Sequence, residues 1–238
     1  MTPTAADSRL YLCAPVNAIV EGIYEEHIPF SAIKRHGDFG LGTFDRLDGE
    51  MVMLDGRVYQ MRADGCVVEV GDDALTPFAA VTFYRPERHL DLDGELSHDD
   101  FLRRLQETLP SPNIFYAFRI EGEFAYMKVR SVPKSECYIP LVEIAKEQPV
   151  FEFDDIHGTL AGFYTPDFMA SVSVPGMHLH FLSDDLAHGG HLLTCRPRRV
   201  RVGIQPIYTV ELALPTTPYY LGWDFQRNVR DDLDRAEK

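Results

Sequence analysis

Basic residues are scarce in this sequence compared with acidic ones. Its 238 residues include 23 lysines and arginines against 37 aspartates and glutamates, which gives a formal net charge of −14. General nucleic-acid binding needs a basic surface, because the phosphates are negatively charged. The composition therefore argues against a nucleic-acid partner and favours a soluble protein.

Long apolar runs are missing as well. No stretch approaches the roughly 18 consecutive apolar residues of a transmembrane helix, so no membrane partner is expected. The first 20 residues lack the basic start of a signal peptide, and Asp7 precedes their short apolar stretch. We therefore expect no export signal.

Paired cysteines are the third absence. Cys13, Cys66, Cys137 and Cys195 are scattered and form no CxxC pair. This spacing argues against a disulfide framework or a zinc ribbon, and it is typical of free thiols in a reducing compartment. Together with the absence of an export signal, it predicts a cytoplasmic location.

Turn-forming residues, by contrast, are abundant. The chain has 16 prolines and 17 glycines, and from residue 40 onward apolar runs alternate with Asp-Gly pairs at 48–49, 55–56 and 64–65. Asp-Gly between apolar segments indicates a hairpin. The pattern predicts a β-meander over residues 40–71, followed by a further strand over 76–84.

One helix pattern separates this region from a second β-rich half. Ser97 is the expected N-cap, and Phe101, Leu105 and Leu109 lie on one helical face that ends before Pro110. This arrangement predicts a helix from Ser97 to Leu109.

Beyond this helix, strand patterns resume. Residues 113–132 predict two strands around Glu121-Gly122, and strand patterns continue to residue 214. The expected fold class is therefore α+β, with mostly β structure and a few short helices. We expect two β-rich subdomains, an N-terminal one with the meander at residues 1–110 and a C-terminal one with the tail at residues 111–238.

Four of the nine histidines lie in one segment, PGMHLHFLSDDLAHGGHLLTC, at residues 175–195. His178 and His180 are two apart among apolar neighbours, so in a β-strand both imidazoles lie on one face. His191 opens a second apolar run after a Gly-Gly pair, and a hairpin would bring it back to the first two. Three neutral imidazoles with an open fourth position are the ligands of a catalytic zinc site.

Other interpretations of this segment remain open. His188 competes for the third ligand position, although it lies inside the expected loop. His178 and His180 could instead be two exposed or hydrogen-bonded imidazoles, and three histidines also suit iron, nickel or copper. A cupin-type metal oxygenase or isomerase uses His-x-His too, but usually with a glutamate a few residues on, where this chain has Ser183-Asp184-Asp185. A non-catalytic ligand-binding β-barrel is the alternative outside enzymes.

Charged residues elsewhere could complete an active site. Glu50 follows an Asp-Gly turn and leads an apolar strand, so it is either a general acid or base at the head of a buried strand or a turn carboxylate that faces water. Lys128 and Arg130 share one face of a strand. One of them could bind a substrate carboxylate, bidentately if it is the arginine, or both could form a solvated basic face.

Five long segments between about residues 40 and 195 occur in an order that one family shares. They are GTFDRLDGEMVMLDGRVYQ, TPFAAVTF, FRIEGEFAYMKVRSVP, LVEIAKEQPVFEFDDIHGTLAGFYTPDFM and PGMHLHFLSDDLAHGGHLL. Together they resemble the α-acetolactate decarboxylase family over about two thirds of the chain. The resemblance implies decarboxylation of (S)-2-acetolactate to (R)-acetoin and CO2, on the route from pyruvate to 2,3-butanediol. It also implies homodimers of two-domain α/β subunits with mixed sheets.

The resemblance also implies a role for each candidate residue. His178, His180 and His191 match the zinc ligands, and Arg130 matches the active-site arginine that would orient the substrate carboxylate. Glu50 matches a catalytic glutamate, Thr43 a substrate-binding threonine near it, and Glu237 a second catalytic glutamate in the tail. Zinc, as a Lewis acid, would stabilise the enediolate that remains when CO2 departs. Either Glu50 or Glu237 would deliver the proton.

Overall fold

The computed structural model describes residues 8–25, 27–135, 137–227 and 230–237, with the side chains of the last helix described as far as Leu233. The helices are α1 (Val16–Val20), α2 (Phe30–Ile33), α3 (His98–Glu107), α4 (Leu141–Ile144), α5 (Pro218–Gly222) and α6 (Arg230–Glu237), with 3-10 turns at Asp45–Leu47, Ala145–Glu147 and Asp167–Met169. The strands are β1 (Arg9–Leu12), β2 (Ile28–Pro29), β3 (Phe39–Thr43), β4 (Glu50–Leu54), β5 (Arg57–Met61), β6 (Val67–Val70), β7 (Leu75–Thr76), β8 (Ala79–Thr82), β9 (Arg88–Asp93), β10 (Phe115–Arg130), β11 (Val150–Thr165), β12 (Gly176–Ser183), β13 (Gly189–Ile207) and β14 (Thr209–Leu212).

The first sheet has seven strands in the order β14-β1-β8-β3-β4-β5-β6. Strands β3 to β6 pair antiparallel in succession, which confirms the predicted meander. Asp55 and Gly56 both have positive φ, 52° and 76°, as the two central residues of a tight type I′ hairpin turn require. β1 pairs parallel with β14, so the sheet is mixed.

The second sheet has five strands in the order β10-β11-β12-β13-β9, with an additional pairing between β10 and β13. β12 pairs with β13 over only three residues, from His180↔His191 to Leu182↔Gly189. At the same position Arg130 of β10 pairs with His191. The four strands β10 to β13 therefore close into a ring, and His191 lies at the point of closure.

The expectation of two strands around Glu121-Gly122 is wrong, because residues 115–130 form the single strand β10. Gly122 is not a turn residue. A Cβ atom on it would lie 2.2 Å from the carbonyl oxygen of Arg199. The glycine lets β13 approach β10 closely, which is the other common use of glycine within a strand.

The two sheets pack face to face. The inner face of the first sheet, with Phe39 and Leu41, forms one core cluster with Ala161 and Phe163 of β11. Its outer face packs on Phe30 of α2 in a separate cluster. On the far side of the second sheet, α3 buries the side chains of Phe101 and Leu105. Both sheets thus have apolar cover on each face, and the functional residues lie between the sheets.

Helix α3 begins as the sequence predicts. The Oγ atom of Ser97 accepts a hydrogen bond from the backbone N–H of Asp100 at 3.2 Å, the capping contact expected of serine at this position.

The strands do not divide between the sheets at residue 110. β9, from the N-terminal part, pairs with β13 in the second sheet, and β14, from the C-terminal part, pairs with β1 in the first. The division into subdomains at residue 110 stays a prediction. Among the described helices, none combines the length and apolar character needed to span a membrane.

Candidate metal centre

The three predicted metal ligands lie together between the sheets. His178 and His180 stand on one face of β12, and His191 is the direct cross-strand partner of His180. The side chains are buried, and each offers one ring nitrogen within 4.8 Å of the others. The hairpin geometry expected from the sequence is therefore present.

His180 is oriented by a backbone contact from the other sheet. Its Nδ1 lies 2.8 Å from the carbonyl oxygen of Met51. Because a carbonyl only accepts hydrogen bonds, Nδ1 carries the proton and Nε2 presents its lone pair. Nε2 is buried and finds no hydrogen-bond partner within the described part of the chain. An orphaned imidazole lone pair aimed at two other histidines fits a metal ion.

Burial keeps the first two imidazoles neutral, as metal ligands must be. Burial, and then the charge of Arg130, lower the pKa of His178 to about 3. Burial also holds the pKa of His180 well below its usual range, with His178 and Arg130 acting in the same direction and the Met51 carbonyl opposing them. The lone pairs therefore stay available across the physiological pH range.

A buried ion pair borders the triad. Arg130 Nη1 lies 3.1 Å from Glu50 Oε1, and both side chains are almost fully buried, at 5% and 7% exposure. Glu50 Oε2 lies 3.5 Å from His180 Nε2. Glu50 therefore bridges the arginine and the triad, and it is not a turn carboxylate that faces water.

The structure separates the two basic candidates on β10. Arg130 is buried, whereas Lys128 pairs with Glu152 near the surface, with Nζ 3.1 Å from Oε1. His188 is likewise separate from the triad, because its ring packs against Phe153 with the centroids 4.5 Å apart. Of the alternatives left open by the sequence, Arg130 and His191 are the ones at the site.

Glu50 follows a strained turn. Arg46 and Leu47 both adopt φ of 57°, a left-handed conformation that costs roughly 1–2 kcal/mol for a residue with a side chain. The Thr43 hydroxyl donates to the carbonyl oxygen of Gly49 at 2.7 Å and holds the end of this turn. Thr43 and Glu50 are direct cross-strand partners, so both side chains face the triad.

A small cavity joins these groups. Its volume is about 50 Å³, and on this measure one water needs roughly 10–15 Å³, so it suits a ligand of few atoms. Thr43, Glu50, Arg130 and the three histidines form its polar wall. The remaining side chains of the lining are apolar, and they belong to Val16, Ile19, Leu47, Phe78, Val132, Leu141 and Val174.

Comparison with known proteins identifies the family. The family described as alpha-acetolactate decarboxylase matches residues 10–227. The chain belongs to the alpha-acetolactate decarboxylase family. It is 38% identical to the alpha-acetolactate decarboxylase of Methanosarcina mazei, over 98% of this chain and 81% of that one. The corresponding protein of Bacillus licheniformis is 36% identical, over 92% of this chain and 87% of that one.

Solved structures agree in fold. The crystal structure of alpha-acetolactate decarboxylase from Bacillus subtilis strain 168 matches with a TM-score of 0.93 at 34% identity, over 97% of this chain and 99% of that one. A protein from Staphylococcus aureus, described as similar to alpha-acetolactate decarboxylase, matches with a TM-score of 0.90 at 29% identity. The mixed sheets and short helices expected from the family resemblance are therefore confirmed.

The tail residue expected from the acetolactate decarboxylase family is only partly described. Glu237 ends helix α6, and its side chain lies outside the described residues. Leu233 of the same helix is buried in the core cluster that contains Leu141 and Ile144 of α4. Since Leu141 also lines the cavity, the tail helix packs directly behind the cavity wall.

Sequence reasoning missed the apolar wall and the orienting role of Met51. No local pattern marks Val16 or Ile19, because they reach the cavity only when α1 packs across the two sheets. The Met51 carbonyl is a backbone group, so its position next to His180 carries no residue signature at all.

Proposed function

We propose that the protein is an acetolactate decarboxylase, which releases CO2 from (S)-2-acetolactate and forms (R)-acetoin on the route from pyruvate to 2,3-butanediol. Membership of the family supports the reaction. The observation that carries the proposal is the convergence of the buried histidine triad, Arg130 and Glu50 on one small cavity. The substrate has few atoms, in keeping with the size of that cavity.

We assign zinc to His178, His180 and His191, because three neutral imidazoles are a common ligand set for a catalytic zinc ion. When bound there, zinc supplies Lewis acidity for the negative charge that develops on the substrate oxygens as CO2 leaves. The triad itself contributes no charge, so Arg130 and Glu50 are the charged side chains of the cavity wall.

Arg130 binds and orients the substrate carboxylate until it leaves. Its guanidinium group keeps its charge when buried, and attraction between opposite charges is stronger in a site that excludes water. Thr43 lines the same wall and already donates its proton to the Gly49 carbonyl. Its oxygen therefore offers lone pairs to the hydroxyl group of the substrate.

Glu50 transfers the proton: it is ionised beside Arg130, so it first takes up from water the one proton that decarboxylation of a carboxylate consumes, and then passes it to the substrate carbon. When the bond to CO2 breaks, the carbon that carried it must receive one proton on one face to give a single acetoin enantiomer. Glu50 Oε2 lies beside His180 and Oε1 beside Arg130, and these contacts support a role for the carboxyl group close to the reacting atoms. Glu237 is the alternative donor. If Glu50→Gln keeps near-normal turnover and Glu237→Gln does not, the tail residue has the role.

We also propose a cytoplasmic homodimer. Within the described part of the chain none of the four cysteines forms a disulfide, and two of them are exposed, which fits a reducing compartment. Light scattering on the purified protein tests the dimer, because one chain has a mass of 27.1 kDa. A mass of one chain at micromolar concentration contradicts it.

Metal content and acetoin formation test the function together. We expect the purified protein to contain one zinc ion per chain and to form acetoin from acetolactate. Removing the metal with a chelator, or the change His178→Ala, should abolish turnover. His188→Ala is the matched control, since this histidine packs against Phe153 outside the triad, and it should keep both zinc and activity.

Three results would contradict parts of this proposal. Full activity without metal excludes the zinc mechanism. Iron dependence with oxygen consumption favours a cupin-type oxygenase instead. Metal binding without acetoin formation indicates a non-catalytic ligand-binding protein.

A further inference from the structure

The turn between β3 and β4 sets the position of Glu50. β4 begins at Glu50, directly after Gly49, so the backbone of the turn decides where the carboxylate points. The turn contains Arg46 and Leu47 in left-handed conformations that residues with side chains rarely adopt. Such a conformation persists only where surrounding contacts hold it, so groups outside the turn must contribute.

Three groups outside the turn hold its carbonyl oxygens. The backbone N–H of Ser135 donates to Arg46 O at 2.8 Å, and the Thr43 hydroxyl donates to Gly49 O at 2.7 Å. The Gln60 side-chain amide donates from Nε2 to Asp48 O at 2.6 Å. Gln60 is the side chain among them that lies away from the cavity.

Side-chain alternation places Gln60 on the outer face of the first sheet. Its neighbours on β5, Tyr59 and Met61, belong to the inner core cluster. Val58, two residues before Gln60, belongs to the outer cluster, and so does Met51, the cross-strand partner of Gln60. Gln60 is buried, at 6% exposure, and it is absent from the cavity wall. It therefore cannot touch a ligand in the cavity.

We propose that Gln60 is a positioning residue for the decarboxylation, holding the strained turn through the Asp48 carbonyl and thereby fixing the Glu50 carboxylate against Arg130 and His180. The proposal rests on the proposed function of Glu50. Without the Gln60 amide, the strained turn can relax toward right-handed conformations, and Glu50 at its end shifts. The histidines stand on the other sheet. Met51, whose carbonyl orients His180, is held by its backbone pairing with Gly42 and Gln60, so the triad stays in place.

The turnover number of the Gln60→Met variant tests whether Gln60 positions Glu50. Methionine keeps the length and volume of glutamine and removes the donor. We expect kcat to fall about tenfold or more, because small misplacements of a catalytic group are costly. KM and zinc content should stay near those of the unchanged protein. Gln60→Glu, which keeps the shape and turns the donor into an acceptor facing Asp48 O, should lower kcat at least as much.

A double-mutant cycle separates positioning from a general loss of structure. If Gln60 acts through Glu50, then adding Gln60→Met to Glu50→Gln should change kcat by less than about twofold. Gln205→Met is the matched control. Gln205 is also buried, and it donates from Nε2 to the Phe83 carbonyl at 3.2 Å, far from the cavity. This variant should lose stability and keep kcat.

The position of Glu50 can also be measured without turnover. A crystal structure of Gln60→Met should show the 3.1 Å contact between Glu50 Oε1 and Arg130 Nη1 lost. An unchanged contact overturns the proposal, as does an equal loss of kcat in both Glu50 backgrounds. If the unchanged protein forms no acetoin, the proposed function fails, and the crystal structure still decides whether Gln60 positions Glu50.

Discussion

Arg130 and Glu50 form a contact that folding alone does not favour. Both charges are removed from water, and the cost of desolvation commonly equals or exceeds the attraction between them. Apolar residues of similar size at the two positions would hold the sheets together as well. The pair therefore fits a chemical purpose in the cavity better than a purely structural one.

The contribution of the Arg130–Glu50 pair to stability can be measured separately from its contribution to turnover. Arg130→Met alone leaves Glu50 buried without its arginine, so the free energy of unfolding should fall by about 3 kcal/mol. Adding Glu50→Leu should restore most of that stability, but it should not restore acetoin formation. Urea unfolding and the acetoin assay measure the two effects. Recovery of activity along with stability would show that the pair is structural only.

Lys128→Met serves as the control for the arginine. Lys128 pairs with Glu152 at 34% and 55% exposure, and exposed pairs of this kind contribute about 0–1 kcal/mol. Stability and turnover should therefore both stay near those of the unchanged protein.

At the scale of elements, close approach between strands fixes the triad. Gly162 of β11 pairs with Leu179, which lies between the first two histidines. A Cβ atom on Gly162 would lie 2.0 Å from the carbonyl oxygen of His178 and 2.9 Å from the Leu41 side chain. The glycine thus lets β12 lie against β11 while the first sheet packs above them.

Gly162→Ala should push β12 out of place. Overpacking of this kind commonly costs 1–3 kcal/mol, and we expect about 3 kcal/mol with weakened metal binding, because two of the three histidines stand on β12. Gly222→Ala is the control, since among the described residues no atom outside its own helix lies within 4 Å of a Cβ there. Thermal unfolding and metal titration compare the two. Equal behaviour of both variants contradicts the close-approach argument.

Ion pairs join the tail helix α6 and the residues before it to the rest of the molecule, and their carboxylates differ in burial. Arg227, just before the helix, donates from Nε to Oε1 of Glu21 at 2.9 Å, and the Glu21 side chain is 8% exposed. Arg230 pairs with Asp167, whose side chain is 72% exposed. The first contact should therefore anchor the tail, and the second should contribute little.

Arg227→Ala should loosen the tail and Arg230→Ala should not. The first change leaves the buried Glu21 carboxylate without this donor, at a cost of about 1–3 kcal/mol. The second removes an exposed pair worth about 0–1 kcal/mol. Chymotrypsin can cut beside Trp223 and Phe225, so faster loss of the tail in Arg227→Ala is the expected readout. Equal cleavage of the two variants would contradict the anchor.

At the scale of the whole molecule, the reactivity of the four cysteines measures whether the native fold excludes solvent from its interior. Cys13 and Cys195 are buried, and burial raises the pKa of the Cys195 thiol to about 12. Cys66 and Cys137 are exposed. Because the thiolate is the reactive form, a thiol reagent at pH 8 should modify two cysteines in the native protein and four in guanidinium chloride. Rapid modification of all four under native conditions would indicate an open structure.

The amino-acid sequence alone determined the local structure and the chemistry of the ligands. The Asp55-Gly56 turn, the Ser97 cap and the shared face of His178 and His180 depend on neighbouring residues, so short-range rules predict them. The family resemblance, read from long ordered segments, was equally accessible. These features need no knowledge of how the sheets meet.

Only the tertiary structure decided which residues surround the triad. Glu50 contacts Arg130 across 80 positions of sequence, and His180 contacts Met51 across 129. Each contact depends on which face of the first sheet packs against the second sheet, and a local pattern does not contain that information. The same reason explains Gly122, because the Arg199 carbonyl that lies close to it belongs to β13, a strand distant in sequence. Because Glu50 is buried between the two sheets, it belongs to the site although it follows a turn. Lys128 stays at the surface.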